Sequence, residues 1–150
     1  MDFLAEQKLI FTSQKYENIY RFLKDKLNLK YHETFVLCAA IGYKNNRARE
    51  LDKKGREFRS NFLSTGQKVT IYSIILNDQE IGKQIEKFND KDFQLTAKKK
   101  IEQYAEGGME ILCEDVFGNK VNEFMLDENY DEYEVDILSY IYQEATEIPF

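Results

Sequence analysis

A mainly helical fold is what this chain predicts, and three observations carry that reading. Breakers are scarce, with one proline (Pro149) and seven glycines in 150 residues, which disfavours a strand-and-turn architecture. Apolar residues recur at three- and four-residue spacing in several windows. Residues that cap helices stand ahead of those windows. We expect an all-α protein, a compact bundle of about five to seven helices forming a single domain over residues 1–150. A small α+β domain is the alternative, and it turns on Val69–Leu76.

The elements follow in order. Thr12 or Ser13 can cap a first helix by accepting from its free N–H groups. Tyr16, Ile19, Tyr20, Leu23 and Leu27 then share one face, with Lys and Asp opposite. Glu33–Ile41 reads as a buried helix, because Leu37, Cys38, Ala39 and Ala40 weigh against a strand. Gly42 suits the left-handed residue that ends such a helix. Lys44–Gly55 has no period and predicts an exposed loop, and Thr65-Gly66 punctuates the chain next. The β-branched content of Val69–Leu76 argues for a strand, but its place between helical segments favours a helix.

Asn77 or Asp78 can cap a helix over Gln79–Phe88, with Ile81, Ile85 and Phe88 on one side. Thr96 can cap a longer helix from Ala97 to about Val116, with Ile101, Tyr104, Ala105 and Leu112 inward. Gly107-Gly108 interrupts it, and two helical glycines cost about 2 kcal/mol against alanine. Either the helix bends there, or another backbone passes too close for side chains. Phe117-Gly118-Asn119-Lys120 reads as a turn. A last helix over about Asp131–Ala145 has Val135, Leu138, Ile141, Tyr142 and Ala145 as its apolar stripe. Asp131, Glu132 and Glu134 in its first turn suit the positive end of the helix dipole.

Composition bounds the function. A hydrophobic share of 43% and a charged share of 32% fit a soluble globular chain rather than a disordered one. No apolar run approaches the roughly 20 residues that cross a bilayer. The opening MDFLAEQKLIFTS has an acid at position 2 and makes a poor export signal. Cys38 and Cys113 then read as reduced, buried thiols, and the expected location is cytoplasmic.

The charge is uneven. The chain carries −6 overall, yet Lys44–Arg59 has seven basic residues against three acids, a net +4. Glu110–Phe150 holds twelve acids and one lysine, a net −11. The acidic helical segment over 117–150 reads as a solvated face, a DNA mimic, or a dock for a basic partner.

Catalytic chemistry finds little support. The single histidine, His32, precedes a buried helix and reads as a polar surface group. Two separated cysteines and one histidine do not make a zinc site. Glu50-Leu51-Asp52-Lys53-Lys54 has the acids and lysine of a metal-dependent nuclease, but it reads better as alternating charge on a solvated loop. Thr65-Gly66-Gln67-Lys68 lacks the spacing of a phosphate-binding loop. We expect no enzyme activity, no metal and no cofactor.

The basic segment is the leading candidate site. Lys44, Arg47, Arg49, Lys53, Lys54, Arg56 and Arg59 can meet phosphates, and Asn45 and Asn46 can donate amide hydrogen bonds. Tyr43 and Phe58 flank them. The competing reading is that the arginines pair with the protein's own acids.

Three stretches carry a family resemblance: Ala39-Ala40-Ile41-Gly42-Tyr43-Lys44-Asn45-Asn46-Arg47, Ile71–Leu76, and Ile101–Leu112 with its Gly107-Gly108. In this order they resemble the Dnd-system-associated small proteins, encoded beside bacterial DNA phosphorothioation genes. The resemblance spans roughly Lys15–Leu112 and does not cover the chain after Val116. It implies a role in antiphage defence linked to sulphur-modified DNA, and no known reaction. The expected function is a non-catalytic accessory protein that binds DNA or a protein of the same system through residues 44–59. An adaptor that docks through Asp131, Glu132 and Glu134 is the alternative, and a homo-oligomer joining the basic and acidic ends is a third arrangement.

Overall fold

In a computed structural model that describes residues 2–146, five α-helices and several short helical turns surround two small antiparallel strand pairs. The mainly helical expectation holds. The longer strand pair joins β1 (Leu9–Ser13) to β2 (Lys54–Arg59), with Ile10 opposite Phe58. Both of those side chains are buried. Thr12 and Ser13 are therefore strand residues and not helix caps: the Thr12 hydroxyl donates to the Arg56 carbonyl at 2.8 Å.

Helix α1 (Glu17–Leu27) buries Ile19, Tyr20 and Leu23 as their spacing predicts, and ends at Asn28 with φ 58°. Helix α2 (Tyr31–Lys44) is longer than predicted and runs straight through Gly42, which is not its terminator. The Val69–Leu76 stretch lies within α3 (Thr65–Asn77), and helix wins there because its start is well capped. The Ser64 hydroxyl accepts from the Gln67 N–H, and the Gln67 side chain accepts from the Ser64 N–H.

After α3, Asp78 accepts from the N–H groups of Glu80 and Ile81 at 2.8 and 3.0 Å. It caps only a short 3-10 turn over Gly82–Lys87. Ile81 and Phe88 are buried there, and the Ile85 side chain lies outside the described residues. Helix α4 (Lys91–Ile111) starts earlier than predicted because Asp90 caps it, leaving Thr96 inside. It continues through a π-helical turn over Leu112–Phe117. Gly118 then reverses the chain at φ 54°. A tight hairpin of β3 (Val121–Asn122) and β4 (Met125–Leu126) follows, and α5 (Tyr133–Thr146) closes the described chain.

The centre of the fold is the crossing of α2 over α4, and it explains the glycines. A Cβ on Gly42 would collide with the Tyr104 carbonyl, one on Gly107 with the Arg47 carbonyl, and one on Gly108 with the Cys38 carbonyl. Of the two alternatives for Gly107-Gly108, close backbone approach is the one realised. Ala39 and Ala105, both buried, keep the same seam narrow.

Helix α5 corrects the predicted stripe. Tyr133 and Ile137 face the core, where Tyr133 packs edge-on against Phe22 and Phe117. Val135, Leu138 and Tyr142 point outward, with 57, 59 and 72% of their surface exposed. The stripe exists, but it faces solvent.

Gly108→Ala should lower unfolding free energy by about 3 kcal/mol, since the collision with backbone outweighs the roughly 1 kcal/mol gained in helix propensity. Gly66→Ala, in α3 with open space around its Cα, should instead gain about 0.5–1 kcal/mol. Urea unfolding of the two variants beside the parent chain checks both signs.

Candidate functional site

The α2–α4 crossing positions the basic segment. The Arg47 N–H donates to the Gly42 carbonyl at 2.8 Å, and the Arg49 N–H donates to the Gln103 carbonyl of α4 at 3.0 Å. Asn45 folds back on α2, its side-chain amide donating to the Ile41 carbonyl at 2.9 Å. Asn46 takes the left-handed conformation at φ 52°. These contacts tie residues 45–49 to the two helices. Lys54–Arg59 is strand β2, so only part of the segment is the exposed loop the sequence predicts.

The side chains divide into two groups. Arg47 Nη1 lies 3.1 Å from Glu110 and 2.8 Å from Glu114, and Arg49 Nε lies 3.2 Å from Glu110. Lys44 Nζ pairs with Glu144 at 3.0 Å. Arg59 donates to the Gln7 side chain at 3.0 Å. The Arg56 guanidinium lies 4.8 Å over the Tyr31 ring, and the Lys54 ammonium 4.6 Å over Phe11. Lys53 is exposed and makes no ion pair with any described residue. Part of the charge asymmetry read from the sequence is thus internal: the basic segment holds the start of the acidic one.

Asp131 and Glu132 lie exposed just before α5, and Glu134 lies exposed in its first turn. No cation pairs with any of the three among the described residues. A groove runs beside the helix, lined by Leu27, Leu29, Leu37, Ile137, Leu138 and Ile141, with Glu134 at its edge.

The groups with reactive chemistry are quiet. Cys38 is buried and burial pushes its thiol far up, while burial raises Cys113 to about 12. Both therefore stay protonated and poorly nucleophilic at neutral pH. His32 leans toward Phe58, and burial lowers its pKa. Among the described residues no group of three His, Cys, Asp or Glu is placed to hold a metal ion.

Sequence reasoning missed Glu106. It is 7% exposed on α4, and burial raises its carboxyl to about 7. Ser13 and Lys15 pull it down, and Asp52 and Glu110 push it further up. Nothing in the run Ile101–Glu110 signals that Glu102 and Glu106 are both buried. Tyr104 and Asp78 form a second buried polar contact, the hydroxyl donating to the carboxylate at 2.5 Å.

A family model described as DNA sulphur modification system-associated protein 4 matches residues 12–138 of the chain. The chain belongs to that family. In this sulphur-modification-associated protein the match reaches past the predicted resemblance, through the β3–β4 hairpin and into the first turns of α5. The description ties the family to a DNA sulphur modification system and states no reaction. No curated protein and no solved structure matches the chain. No described helix is long and apolar enough to cross a membrane.

Glu106 sets a pH dependence. The unfolded chain gives up this proton near the ordinary glutamate value of 4.5, whereas the folded protein keeps it to about 7. Its contribution to stability is therefore full below about 4.5 and is lost as pH rises to about 7. Glu106→Gln should raise the thermal midpoint at pH 8 and leave it nearly unchanged at pH 4, as calorimetry at the two pH values would show.

Proposed function

We propose that this protein is a non-catalytic accessory protein that works by binding a protein of the DNA sulphur modification system through the outward face of α5. One observation carries the reading: a helix already packed on the core through Tyr133 and Ile137 presents a second apolar row to solvent. Val135, Leu138, Tyr142 and Ala145 fall within one arc at helical spacing. Contiguous exposed apolar surface with a polar rim marks interaction sites. The groove formed by Leu27, Leu29 and Leu37 continues that surface.

The charge around it chooses the occupant. Asp131–Glu144 contains five acids and no lysine or arginine. A second copy laid on the same face by two-fold symmetry would bring like charges together. The fitting partner is an amphipathic helix with an apolar ridge flanked by lysines and arginines, seated as helices seat in grooves. Arg47 and Arg49 are less suited to recognition, since Glu110 and Glu114 already hold them.

Leu138→Glu with Tyr142→Glu tests the reading. Both side chains are mostly exposed, so stability should change little. Co-expression with the other proteins of the modification system should yield a complex with the parent chain. The double variant should weaken that complex more than tenfold, as expected for central apolar anchors. A complex of unchanged affinity would overturn the proposal, and so would a homodimer abolished by the same substitutions in sedimentation.

A further inference from the structure

A second surface shares no residue with α5. Between β2 and α4 lies a cleft of about 410 Å³ lined by Leu51, Lys54, Leu95, Lys98, Lys99 and Glu102, among others. Two of its lysines also meet the Phe11 ring of β1. The Lys54 and Lys98 ammonium groups lie 4.6 and 5.2 Å from the centre of that ring. Lys98 is held in place: its ammonium donates to the Leu9 carbonyl at 3.0 Å and lies 3.5 Å from Glu102. Glu102, 7% exposed at its side chain, also accepts from the Phe11 N–H at 2.8 Å. Its charge is thus satisfied inside the protein.

What remains facing the cleft is cationic. Among the described residues Lys54 has no carboxylate partner, and neither Lys99 nor the adjacent Lys53 makes an ion pair. Among the described residues, Glu50 is the one acid on the rim without a cation. Beside these charges stand Leu51 and Leu95, the latter 60% exposed, with nothing polar on them to hydrogen-bond. Lysines set against an apolar wall make an unusual anion site. They favour an anion whose charge is met by ammonium but whose surface loses little on leaving water.

We infer that this cleft binds a backbone diester of DNA and takes the sulphur-substituted diester in preference to the ordinary one. Lysines commonly contact DNA phosphates. Replacing a non-bridging oxygen by sulphur keeps the negative charge, while sulphur is larger, more polarisable and less strongly hydrated. It therefore gives up less on contact with Leu51 and Leu95. The inference draws its nucleic acid from membership of a sulphur-modification family, and it does not depend on α5 binding a partner.

Full-length protein titrated into two labelled duplexes of one sequence, with and without a phosphorothioate linkage, tests it by fluorescence anisotropy. The expected result is binding that weakens at least tenfold between 50 and 200 mM salt, in line with counterion release of about 10³-fold for six or more contacts. The sulphur-bearing duplex should bind several-fold tighter. Lys54→Glu with Lys99→Glu should weaken both duplexes more than tenfold. Lys24→Glu with Lys26→Glu, an equal charge reversal on α1, should not. Leu95→Ser should narrow the difference between the duplexes. Equal affinity for the two duplexes, no binding at 50 mM salt, or binding indifferent to Lys54 and Lys99 would overturn the inference.

Discussion

Where α2 crosses α4, three main-chain carbonyls rest against three glycines: Tyr104 on Gly42, Arg47 on Gly107, and Cys38 on Gly108. Two adjacent glycines inside a helix sacrifice about 2 kcal/mol of propensity. The close approach offsets this through dense backbone contact that no side chain allows. The rest of the structure depends on that seam. The chain leaving α2 is fastened to α4 by the Arg47 and Arg49 amides, which fixes where β2 begins and so where β1 pairs. One turn beyond the glycine pair, Glu110 and Glu114 lie on the same side of the helix and receive the Arg47 guanidinium.

The seam also gives physical meaning to the sequence pattern. Ala39–Arg47 and Ile101–Leu112 are far apart in the chain and look like independent signatures. They are the two sides of one contact, and each supplies small residues where the other supplies carbonyls. The helices were legible because their apolar spacing is local, although the caps at Ser64 and Asp90 were not the ones expected. The β1–β2 pair was not: LIFTS and KGREFR are short, β2 is mostly charged, and the partners lie more than 40 residues apart. Gly42 was misread for a related reason. A glycine near a helix end looks like a terminator until the neighbouring backbone is known.

Helix α5 shows a different limit. Periodicity reveals that an apolar stripe exists, but not which way it faces when a helix is apolar on two sides. Tyr133 and Ile137 turn inward because Phe22 and Phe117 receive Tyr133. That choice leaves Leu138 and Tyr142 outside. The candidate site was half legible. The cluster of charge at Lys44–Arg59 was plain, while its neutralisation by Glu110, Glu114 and Glu144 needed the crossing to be seen. The cationic cleft was invisible because residues 50–51, β2 and α4 each contribute part of it. Together these surfaces fit an accessory role, with an acidic, apolar helix on one element and a cationic cleft on others, and with thiols too protonated for nucleophilic work.

Native-state hydrogen exchange at the Arg47 and Arg49 amides tests the central claim most directly. If the basic segment is pinned to the glycine seam, these two amides open only with global unfolding, and their protection matches that of core amides such as Ala39 and Ala105. If instead they exchange as quickly as the exposed Lys53 amide region, the segment is a free loop. The account of how the crossing organises the fold would then be contradicted.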